Sequence, residues 1–313
     1  MQATAKKTTT ILTRYNISLA VVLSALQIFQ LFLLPLFLLP HNTLWGLAVL
    51  LLIPIGNSMW SLIHEAIHRL CYPSAGINDR MGRALSILFG VSFDVVKFGH
   101  LMHHRYNRDW ESEFYDPRKT PRWQAALLYY GKILGGYYIV EILMSVLFLL
   151  PVSILKKLTS YQARTAFAHL GDIESISNNF FFVRNRAKSI RQDTIAILLI
   201  FSASALAYGP HWPWFALMLA GRAFSVSFMD NIYHYATPTD NSVPAKEITM
   251  PRWMEVLMLH GNHHHSHHRQ SNVAWNGLPA VRNDIGIPCH QTFWQAARDQ
   301  FKGPIAITAP AAL

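Results

Sequence analysis

The chain has 313 residues, a net charge of +10 and only 14% charged residues, against about 25% in ordinary soluble proteins. Apolar residues make up 51% and the mean hydropathy is positive, which excludes a disordered chain, a polar binding tail and most soluble enzymes. Two cysteines, Cys71 and Cys289, exclude a disulfide scaffold, a Cys-ligated iron–sulfur cluster and a Cys-rich zinc module.

Residues 1–16 are a polar tail carrying Lys6, Lys7 and Arg14. Residues 17–40 and 43–63 carry no charge, and a bilayer-spanning helix needs roughly 20 such residues. With His41 and Asn42 as the turn, they predict a transmembrane hairpin. Residues 83–98 are amphipathic and are expected to lie along the membrane surface. Residues 125–151 are apolar but interrupted by Lys132, Gly135, Gly136 and Glu141. A third charge-free stretch, 194–221, is broken at Gly209-Pro210-His211-Trp212-Pro213. That break predicts a turn between spans at about 192–209 and 212–230, the second burying Arg222.

Lys and Arg accumulate on the cytoplasmic side of membrane proteins. They are dense between His64 and Arg122 and between Pro151 and Arg191, so both stretches are expected in the cytoplasm with the N-terminus. Segment 125–151 then has to return to its starting side, in the interface or by dipping in and out at Gly135-Gly136. If it crossed once, the later break would be a kink in a single span. The expected fold is an all-α integral membrane protein. It has about four transmembrane helices in two hairpins, interfacial helices and a cytoplasmic histidine-rich cap. The domain reading is a tail at 1–16, one membrane domain at 17–303 and a C-terminal tail at 304–313. No nucleic-acid partner is expected.

Of the 16 histidines, twelve fall in four short stretches. His64-Glu65-Ala66-Ile67-His68 places two imidazoles on one helical face. It also spells the H-E-x-x-H zinc-peptidase motif, in which the Glu is the base. His100-Leu101-Met102-His103-His104 sets three imidazoles on one face. His260-Gly261-Asn262-His263-His264-His265-Ser266-His267-His268 contains the same H-x-x-H-H spacing at 264–268. His234, four residues after Asp230, sits at the end of the last span. The topology brings all four pieces to one side. Imidazole binds metals in its neutral form, and nine of them suffice for two metals. Redox-silent zinc would not need so many.

H-x-x-x-H, H-x-x-H-H and H-x-x-H-H in this order resemble the three histidine boxes of membrane fatty acid desaturases and their hydroxylase relatives. The likeness runs from about Ile17 to Leu278. The stretch from Gly261 to Leu278 resembles the third-box segment of acyl desaturases. The resemblance implies two irons held by His64, His68, His100, His103, His104, His234, His264, His267 and His268. Family members can carry an Asn four residues before the His234 position, acting on iron through water. Here that position is Asp230, with Asn231 beside it. His260, His263 and His265 exceed the pattern and are expected around the ligands or at the surface.

The implied enzyme is a non-haem diiron oxidoreductase of lipid metabolism. It takes O₂ and two electrons and removes hydrogen from an acyl chain to leave a double bond. The implied electron donor is separate: ferredoxin, rubredoxin or cytochrome b5, with its reductase. A compact form without an attached donor domain fits a bacterial inner membrane. Trp60, Phe98 and Phe228 are candidates for the substrate tunnel wall. Arg69, Arg105, Arg108, Arg118 and Lys119 are candidates for a headgroup grip, although the positive-inside rule alone accounts for most of them. The acidic run Asp109, Glu111, Glu113 and Asp116 is a candidate docking patch, or a balance for neighbouring arginines. Hydroxylase, acetylenase, carotenoid-type oxygenase and oxidative decarboxylase chemistry remain open on the same boxes. From other classes, an intramembrane zinc protease built on His64 and His68 and a metal carrier are the competing readings.

Overall fold

The computed structural model describes residues 10–107, 113–240 and 242–307. Lys6, Lys7, Arg108, Asp109, Glu111 and the end of the C-terminal tail lie outside them. Among the described residues, four stretches are long and apolar enough to cross a membrane: Thr13–Leu38, Thr43–Ile67, Arg122–Leu147 and Arg186–Ile232. The first holds α1 (Thr13–Ile28) and a wider-wound continuation, Phe29–Leu38, that accommodates Pro35. Asn42 caps the turn by accepting from the Leu44 backbone N–H. Then α2 (Ala48–Ile67) runs back, continuing past the expected end so that His64 is still helical.

The last stretch is a hairpin of α9 (Arg186–Tyr208) and α10 (Trp212–Ile232), turning at Gly209–His211. Contacts on both sides of the turn fix the antiparallel sense. Tyr208 packs on Phe215, and the Arg222 guanidinium faces the Phe201 ring. The break at Gly209 is therefore a turn and not a kink.

Segment 122–147 consists of α5 (Arg122–Gly131) and α6 (Tyr137–Leu147), joined by a wide turn, Lys132–Gly136. Tyr129 near its start donates to the Gln300 carbonyl and accepts from Asn231, at the end of α10. Phe148 and Leu150, just past its end, accept from Arg191 at the start of α9. The start of α9 and the end of α10 lie on the same side, so the segment dips in and returns. Gly135 is at the bend with φ +137°, against Ala223 midway along α10. A side chain would be strained at that φ.

The expectation of one surface helix over 83–98 is corrected. That stretch belongs to α3 (Ala75–Phe89) and α4 (Phe93–Tyr106), which meet at 104°. Their apex is buried: Phe89 packs on Trp60 and Tyr138, and Gly90 turns at φ +98°. Polar ties made far along the chain hold it. The Phe89 carbonyl accepts from Tyr138 Oη and from Arg222, and Asp193 accepts from Arg83 and Ser92. An amphipathic pattern does not reveal such partners. Arg222 is buried as expected, 3% exposed.

The remaining chain forms a cap on the histidine side. It contains α7 (Val152–Thr165), α8 (Ile173–Asn178), α11 (Arg252–Leu257), α12 (His264–Arg269), α13 (Leu278–Ile285) and α14 (Phe293–Asp299). Two parallel strand pairs staple it: β1 (Phe114–Tyr115) with β4 (Ile305–Ala306), and β2 (Ile248–Thr249) with β3 (Gln291–Thr292). The fold is thus mostly helical rather than purely so.

Candidate metal centre

Four elements converge at the histidine end of the helices. The last turn of α2 and its cap carry His64 and His68, α4 carries His100, His103 and His104, the turn after α10 carries His234, and α12 carries His264, His267 and His268. The nine imidazoles form two adjacent groups, each able to hold a metal ion. In His64, His68, His100, His104 and His267 the ligand atoms lie within 4.8 Å of one another, as they do in His103, His234, His264 and His268. The groups touch where His104 stacks on His268, with centroids 4.3 Å apart.

The nitrogen geometry fits bound metals. Nε2 atoms face each other in three pairs: His68 with His100 at 2.9 Å, His104 with His267 at 3.0 Å, and His103 with His268 at 3.2 Å. A neutral imidazole has one N–H and one lone pair, so each pair makes at best one hydrogen bond. An imidazole nitrogen lies ~2.0–2.1 Å from a first-row metal, and two ligands at near right angles on one ion then come this close. His64 Nε2 is buried without a hydrogen-bond partner, which a metal would supply. Burial, with neighbouring imidazoles adding to it, holds His264, His267 and His268 well below the ordinary histidine pKa. They are neutral, as ligation requires.

A model of the family described as "Fatty acid desaturase" matches residues 40–287, which include all nine histidines. The chain belongs to the fatty acid desaturase family. No curated protein and no solved structure matches it. The family comprises non-haem diiron enzymes acting on acyl chains, and the two imidazole groups of this desaturase-family chain are able to hold the metals.

Around the clusters, buried polar groups aim the rings. His234 Nδ1 lies 3.2 Å from the Pro244 carbonyl, which can only accept. Nδ1 therefore carries the proton and Nε2 keeps its lone pair for a metal. Asn107 donates to the same carbonyl. Glu247 is buried and accepts from Ser266 N and Oγ and from His263, which anchors α12. His263 is thus a support and not a member of either cluster. His260 stacks between His263 and Trp275, and His265 stacks on His290 and accepts from Arg269. Glu113 accepts from the Ala236 N–H and fixes the turn behind His234. Asp116 pairs with Arg118, and Arg105 with Asp172. Arg69 and Lys119 are exposed.

A cavity opens beside the clusters between α2 and α10. Asn57, Trp60, Ser61, Glu65, Met229, Asp230, Tyr233, Met258, Leu259, Gly261 and Leu278 line it with His64, His100, His264 and His267. Asp230 faces it, whereas Asn231 turns away to Gln300 and Tyr129. Trp60 is on the wall as expected. Phe228 is not on it, and Phe98 instead lines a second, apolar cavity with Met144, Phe148, Phe167 and Phe181. Phe98 packs on Phe180 and Phe181, and Phe228 between Phe224 and Phe301. Tyr233 stacks on His264, and its hydroxyl is buried without a partner. Glu247, Tyr233 and Asn57 carry no pattern in the sequence that marks them. Each is defined by contacts made across the fold.

Proposed function

We propose that this chain is a membrane-embedded desaturase that uses O₂ and two electrons from a separate donor to introduce a double bond into an acyl chain. The carrying observation is the pair of imidazole clusters, five and four, at one end of a largely apolar cavity between two apolar helices. In this reading His64, His68, His100, His104 and His267 hold one iron, and His103, His234, His264 and His268 the other. When bound, the irons supply O₂ activation and hydrogen abstraction from an unactivated C–H bond.

The chain's own residues do the rest. Trp60, Met229, Met258, Leu259 and Leu278 confine the acyl chain and exclude water. Asp230 brings a carboxylate to the cavity, acting on the metals through water. The positive-inside pattern supports a cytoplasmic histidine side, the side from which a ferredoxin, rubredoxin or cytochrome b5 would deliver electrons. Lipid profiling of a host expressing the chain tests the reading. The expected result is a new olefinic acyl species, absent with His267→Ala. A new alcohol, or no change, counts against it.

The zinc-protease reading makes Glu65 the catalytic base. Glu65 lines the cavity, and its carboxylate accepts from the backbone N–H of Trp275 at 3.2 Å. Trp275 in turn donates to Asn16, which donates to the Cys71 carbonyl. Glu65→Gln keeps the acceptor oxygen, so oxidase activity is expected to fall by less than about tenfold, the scale of one neutral hydrogen bond. Complete loss in a product assay would favour the protease.

A further inference from the structure

Two buried polar groups in the cavity have open positions. The Tyr233 hydroxyl lies beside His264, level with the clusters. The other is the carboxamide of Asn57. Its nitrogen donates to Ser225 Oγ at 2.5 Å, while its other end has no partner, although the residue is only 5% exposed. Asn57 precedes His64 by two turns of α2, which places it ~10 Å further along the helix axis. No group bound at the histidines reaches that far. The Asn57–Ser225 bond joins α2 to α10, and Asn57 is the lining residue of α2 furthest from the histidines, at the cavity floor.

A plain alkyl chain calls for an apolar floor. An open carboxamide position is costly in a medium without water, and the walls beside it, Trp60 and Met229, are in the main apolar. We infer that the floor binds a hydroxyl on the far part of the substrate chain, two helical turns beyond the reacting carbons. Asn57 is then a specificity-determining residue that selects a hydroxylated chain over a plain one. A hydroxyl donates and accepts, so it satisfies either end of the carboxamide. The inference rests on reading the cavity as an acyl site. A fixed water at Asn57 is the competing occupant.

Binding to the full-length chain in detergent tests it without metal or electron donor. A bound fluorescent polyene fatty acid is displaced by saturated acids of graded length and by the ω-hydroxy counterpart of each. At the length that brings the hydroxyl to Asn57, the ω-hydroxy acid is expected to bind roughly tenfold more tightly than its partner, the effect of one hydrogen bond to an otherwise open buried group. Asn57→Leu removes the difference. Ser225→Ala frees the carboxamide without deleting it and preserves the difference. Equal binding of each pair at every length, or a preference that survives Asn57→Leu, overturns the proposal. Failure of every acid to displace the probe overturns the acyl-site reading as well.

Discussion

Replacing His268 with alanine is expected to abolish turnover and to remove one of two bound irons. The four-membered cluster of His103, His234, His264 and His268 has no spare imidazole, and His268 makes its closest approach, to His103 at 3.2 Å. Loss of a mere supporting partner of a metal ligand costs ~10–100-fold in affinity or activity, so loss of the ligand itself is expected to exceed about a hundredfold. His267→Ala leaves four imidazoles in the other cluster and is expected to lower iron occupancy less, while still disabling the reaction. His260→Ala lies outside both clusters and is expected to keep two irons. Iron per chain, with helicity followed by circular dichroism, separates ligand loss from unfolding. Full iron in the His268 variant would refute the assignment.

Arg222→Met is expected to destabilise the packing of the spans. The Arg222 guanidinium donates to the Phe89 carbonyl at 2.6 Å and to Gln27 Oε1 at 2.5 Å, and lies over the Phe89 ring. It thereby pins α1 and the α3–α4 apex to α10. Methionine fills similar volume but takes the Arg222 donor from Gln27 Oε1, at ~1–3 kcal/mol, in a medium where water does not replace it, while the Phe89 carbonyl keeps the Tyr138 hydroxyl. That cost, about 1–3 kcal/mol, is an appreciable share of a typical stability of ~5–15 kcal/mol. Because α4 carries three of the nine histidines, iron loading is expected to fall with stability. Arg222→Lys retains one donor group and is expected to lie between. Thermal unfolding in detergent reads the order, and equal midpoints for wild type and Arg222→Met would contradict the pinning role.

The boxes were legible because their information is local. Spacings of three and four put His100, His103 and His104 on one helical face, and α4 presents them that way. The two hairpins followed from charge-free lengths and from the break at 209–213. The dip of 122–147 was one of the options left by the charge pattern, with Gly135 marking its bend. The turn between α3 and α4 was not legible, because Arg222, Asp193 and Tyr138 hold it from more than forty residues away. Phe98 faces a cavity other than the one beside the histidines, because apolar periodicity does not say which space a packed face meets. The supports of the site, Glu247 beneath α12 and Pro244 behind His234, were unreadable for the same reason. An isolated acid and a backbone carbonyl acquire meaning only once the fold sets them against the histidines.

The central claim, a two-iron centre built from nine histidines, is tested most directly by elemental analysis with Mössbauer spectroscopy. The sample is the full chain, expressed with ample iron and purified in detergent. About two irons per chain are expected, the size of site that five and four imidazoles provide, in a spin-coupled diferric state. One zinc per chain and no iron would contradict it.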